Sequence, residues 1–90
     1  MASGTIKNTG LKAVKTDTVS GTTGAAGGLV TTLSDSNIRI IGATAPRSAN
    51  IVLITNSTTG NYIFKIVTSA NLSPVGNTNV TVEYSYIVVN

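Results

Sequence analysis

Between Asn79 and Tyr86 polar and apolar residues alternate without a break, while no stretch of the chain keeps an apolar stripe at helical spacing. Val80, Val82, Tyr84, Tyr86 and Val88 fall on one face of such a strand. Thr81, Glu83, Ser85, Ile87 and Val89 fall on the other. A strand with one apolar face requires a core to cover it. Val82 is therefore expected inside and Glu83 in water.

The same reading places strands at Leu11–Val19, Leu29–Leu33, Asn37–Thr44, Ile51–Ile54 and Tyr62–Val67. Turn chemistry separates them: Ser34-Asp35-Ser36-Asn37, the loop around Pro46, the hairpin run Asn56–Asn61, and a longer connection over 69–79 with Pro74 and Gly76. No capping box opens a helix. Neutral polar residues fill the spaces, with 15 Thr, 9 Ser and 9 Asn, and the β-branched content is high. These features predict an all-β antiparallel β-sandwich or jelly roll of about six to eight short strands. Residues 1–10, small and polar with a lone Ile6, read as an N-terminal arm, and 11–90 as a single β-sandwich domain. A chain this short buries only ~60% of its surface, and without cysteine it has no disulfides to add stability.

Most site chemistry lacks its residues. There is no His or Cys, so the usual zinc and iron ligands are missing. The three carboxylates are Asp17, Asp35 and Glu83. Asp35 lies in a turn where its side chain is expected to bond its own backbone. A two-carboxylate hydrolase would need Asp17 and Glu83 to converge on one cleft. The glycine tract Gly21–Gly28 is followed by Leu-Val-Thr-Thr-Leu, a strand pattern, where a phosphate loop requires Gly-Lys-Ser/Thr and a helix. It reads as a flexible loop or bulged crossing. No catalytic residue, cofactor or metal is expected, and the protein reads as a non-enzyme.

The net charge of +3 is thinly spread. Lys7, Lys12 and Lys15 form the one loose cluster, and four aromatics are too few to interleave with it for base stacking. Nucleic acid is not an expected partner. No apolar run reaches the ~20 residues of a helical membrane span, and the first residues lack a signal-peptide pattern, so either synthesis in a cytoplasm or prior removal of a signal is expected.

Assembly is the remaining signal. Ile51–Ile54 is apolar on both faces, Ile63–Val67 nearly so, and the closing strand turns apolar on its second face at Ile87 and Val89. One thin core covers one face of each strand. Ile51, Leu53, Ile87 and Val89 are therefore expected to meet further copies of the chain, since only 10% of residues are charged, against ~25% in ordinary soluble domains. Ile6, Lys7, Lys12 and Lys15 are expected to attach the arm.

The Ser/Thr/Gly-rich approach TVSGTTGAAGGLVTTL, the hairpin NIVLITNSTTGNYIFKIV and the closing NTNVTVEYSY are together similar in style to one group of proteins. Over roughly residues 16–90 the chain resembles the C-terminal β-sandwich head domains of tailed-bacteriophage structural proteins, in tail fibres, minor structural proteins and head decoration. The resemblance implies a homotrimer on the virion, made in the host cytoplasm, with other virion proteins and a host surface glycan as partners. No shaft or coiled segment accompanies it, which favours a small head-decoration or adhesin subunit over a complete fibre. The alternative is a small carbohydrate-binding β-sandwich module, which would display its tyrosines.

Overall fold

The computed structural model describes residues 13–89, and these form two three-stranded antiparallel sheets packed face to face. Six strands run in order: β1 (Lys15–Thr22), β2 (Gly28–Ser34), β3 (Ile38–Thr44), β4 (Ile51–Asn56), β5 (Asn61–Val67) and β6 (Asn79–Val88). The first sheet has the order β1-β6-β3, the second β2-β5-β4. The chain thus changes sheet at every connection except the β4–β5 hairpin. No helix occurs among the described residues. The architecture is a small β-sandwich, as the alternation and turn spacing predict.

β5 and β6 are the middle strands of their sheets and supply most of the core. Phe64, Ile66 and Val82 are fully buried, joined by Tyr62, Tyr84, Leu29 and Ile40. Phe64 and Tyr84 meet across the interface at 5.7 Å between ring centroids, an offset contact that aromatic pairs prefer. Val80 and Tyr86 pack at the rim, Glu83 is exposed, and Val88 is half-buried at the far end of β6. The expected faces of this strand are the observed ones.

The first strand departs from its expected range. It begins at Lys15 and continues through Gly21 and Thr22, which pair with Val80 and Asn79 of β6. Gly21 leaves room for Leu29, since a β-carbon there would sit 2.8 Å from a Leu29 methyl. The glycine crossing is also not a loose loop. Thr23 is buried and clamps it to the β5–β6 connection, donating to the Val75 carbonyl at 2.7 Å and accepting from Thr78 N–H at 3.1 Å. Asn77 N–H bonds the Gly24 carbonyl, and Ile66 N–H bonds that of Gly27. Gly27 lets backbone lie directly on backbone, its β-carbon position being 2.7 Å from the Ile66 carbonyl oxygen.

Two side chains repair irregular pairing. The β2–β5 register shifts between Val30 and Ser34, and there the buried Thr31 hydroxyl accepts from Leu33 N–H and donates to the Tyr62 carbonyl. Tyr62 itself spans the core. Its hydroxyl accepts from Ile40 N–H at 3.4 Å and donates to the Ile38 carbonyl at 3.2 Å, closing backbone of the edge strand β3. Tyr62→Phe should cost about 1–3 kcal/mol through these orphaned groups. Urea denaturation compared with wild type measures it.

Candidate functional site

The carboxylates do not converge. Asp17 stands opposite Tyr84 and Glu83 opposite Thr18 in the β1–β6 register, so the two acids project from opposite faces of one sheet. Asp17 accepts from Thr18 N–H at 2.9 Å. Asp35 does not bond its own backbone as expected. It accepts from the Asn56 side-chain amide, while Ser34 supplies the turn through its hydroxyl to Ser36 N–H. Asp35 thereby ties the β2–β3 turn to the β4–β5 hairpin.

The titration shift of Tyr84 is structural. Its phenol is raised above the ordinary value of 10.0, first by burial, then by the Asp17 charge and by Tyr86. The folded protein therefore holds this proton longer than the unfolded chain. Its contribution is intact below pH about 10 and is lost as pH rises from there through the folded value. Tyr84→Phe should leave stability near neutrality almost unchanged and reduce the loss on raising the pH past that point. Denaturant midpoints at neutral and alkaline pH are the check.

Two surfaces remain. An open cleft of 330 Å³ lies between the β3–β4 loop and the start of β6, lined by Arg47, Ser48, Asn50 and Asn79, with Ala45 and Val80 beneath. It offers one cation and several neutral hydrogen-bonding groups.

The larger feature is the outer face of the second sheet. Register places Val30 opposite Ile63 and Ile63 opposite Thr55, then Gly28 opposite Lys65 and Lys65 opposite Leu53. Val30 is 71% exposed, Leu53 44% and Ile51 38%. On the two edge strands, with Ile63 between them on β5, they make this face largely apolar around Lys65, whose aliphatic stem can lie along it. No loop among the described residues covers Ile51 or Leu53. Val67, at the end of the row, is buried where it bridges to Pro74 of the β5–β6 connection.

The structure divides the expected association residues. Ile51 and Leu53 share this face. Ile87 pairs with Arg39 on the outer face of the other sheet, on the opposite side of the sandwich, and the exposed Val89 lies beyond β6, bonded through its N–H to Asn37. Val30 belongs to the apolar face although the alternation pattern does not single it out. Its signal is the adjacent pair Leu29-Val30, apolar on both faces of a strand. Of the arm residues, Lys15 opens β1 and is exposed, whereas Ile6, Lys7 and Lys12 lie outside the described residues. Comparison with protein-family models, curated proteins and solved structures finds no match.

Proposed function

We propose that the protein is a non-enzymatic structural subunit that works as an assembly of its own copies. The observation that carries this reading is the apolar face of exposed Val30, Ile51 and Leu53 with half-buried Ile63, on the side of the second sheet away from the core cluster. Apolar patches of this kind on small domains mark interaction surfaces. The resemblance to phage head domains supplies the setting: a bacteriophage virion surface, with head decoration or host adhesion as the role. Scarce charge and a Thr/Ser-rich exterior are compatible with that setting. Leu53→Asp, which replaces an exposed apolar residue of the patch on the edge strand β4 with a carboxylate and leaves the core untouched, should reduce the mass measured by light scattering to that of one chain and leave the circular dichroism unchanged. An unaltered assembly would remove the face from the account.

The polar cleft beside Arg47 favours a second reading, a carbohydrate-binding module. The aromatic rings do not support it. Tyr62 and Tyr84 are buried, and Tyr86 stacks on Tyr84 at 5.5 Å, so the phenols serve the core instead of an exposed sugar platform.

A further inference from the structure

The two outer faces of the sandwich are chemically unlike. That of the second sheet is apolar with Lys65 at its centre. That of the first carries hydroxyls over its β1–β6 half, Thr16, Thr18 and Ser20 on β1 facing Ser85, Glu83 and Thr81 on β6, with Thr44 of β3 on the far side of Glu83 and Ile87 beside Arg39 at the other end. Lys65 and Glu83 each stand on the middle strand of their sheet, each on the outward side, and neither has an ion-pair partner among the described residues. Arg39, the other charge on the hydroxyl face, is opposite Ile87, four residues along β6 from Glu83. At ~13 Å it lies beyond a Debye length at physiological salt.

Four of the hydroxyls are already paired within the sheet. Thr16 and Ser85 bond each other at 3.3 Å, and Ser20 and Thr81 at 3.0 Å. Each pair uses one of its two O–H donors within the sheet, which lowers the cost of laying a partner over these four side chains. Two copies meeting through their apolar faces would bring Lys65 against Lys65. An apolar face on a hydroxyl face brings Lys65 to Glu83.

We infer that the apolar face of the second sheet docks on the hydroxyl face of the first sheet of another copy, with Lys65 of one copy paired to Glu83 of the next. This rests on the self-association reading above and names its partner surface. The contact is heterologous, and the two faces point in opposite directions, so successive copies stack as an open column rather than closing on three.

A charge-swap experiment on the full chain tests it, read by sedimentation across a concentration series with circular dichroism as the folding control. The wild-type mass should rise with concentration without a plateau. Lys65→Glu alone sets two carboxylates against each other at every contact, and Glu83→Lys alone sets two ammonium groups together, so each should associate about a hundredfold more weakly. Mixing the two variants allows opposite charges to meet and should restore association, and both substitutions in one chain should restore growth. A wild-type assembly that Glu83→Lys leaves unchanged, or one that stops at three copies, would overturn the head-to-tail pairing while self-association stands. A wild-type chain that stays single at every concentration would overturn both.

Discussion

Val82→Asp is expected to leave the chain unfolded. Val82 is fully buried at the centre of the middle strand β6, among Phe64, Tyr84 and Leu29 of the core cluster. A carboxylate there has no partner, and burying it costs several kcal/mol, or forces protonation at a similar cost. Lost apolar packing adds to this. Against a total stability of ~5–15 kcal/mol, in a domain with one thin core, the sum removes most or all of the fold. Glu83→Gln, one residue along and exposed, should leave the unfolding midpoint of the subunit near wild type. Circular dichroism during thermal unfolding of both variants separates the faces, and a cooperatively folded Val82→Asp protein would show that this strand is not the core.

The second large effect is predicted for Gly27→Ala. Gly27 has φ of 87°, a conformation costing a residue with a β-carbon about 1–2 kcal/mol. An added β-carbon would also sit 2.7 Å from the Ile66 carbonyl oxygen and 3.2 Å from Val75 N. Both are backbone atoms, held by the Ile66 N–H bond to Gly27 and the Val75 N–H bond to Ile66, so neither can rotate aside. The total loss should reach about 3 kcal/mol, measurable by urea denaturation. Gly42, with open space around its β-carbon position, is the control: Gly42→Ala should change stability little. Equal effects at the two positions would show that the crossing yields.

The strands are legible in the sequence because their chemistry is local. β3 through β6 begin and end within a residue or two of the turn signals, and the inward face of β6 follows from alternation alone. What alternation does not carry is sheet membership. It tells that Ile51 and Leu53 share a side, and that Ile87 lies away from Val82. It does not tell that these two sides face opposite directions, because that depends on β4 and β6 lying in different sheets. Long-range register decides it. The glycine tract misleads for a related reason: four glycines signal freedom in isolation, but here Gly27 lies against the Ile66 and Val75 backbone and Gly24 bonds Asn77, while Gly21 and Gly28 make room for the Leu29 and Ile63 side chains. Asp35 similarly meets Asn56, a partner 21 residues away that no local rule proposes. Of the proposed interface, Leu53 is readable as an apolar residue without a core to enter. Lys65 looks like an interruption of an apolar strand, and only the register with Gly28 and Leu53 shows it at the centre of a face.

Self-association through that face is the claim on which the functional account depends, and the solution mass of the wild-type chain tests it most directly. Sedimentation equilibrium from micromolar concentration upward should give masses that are multiples of 9.1 kDa and that increase with loading. A single species of 9.1 kDa throughout the range would contradict the account and shift weight to the carbohydrate-binding reading of the Arg47 cleft.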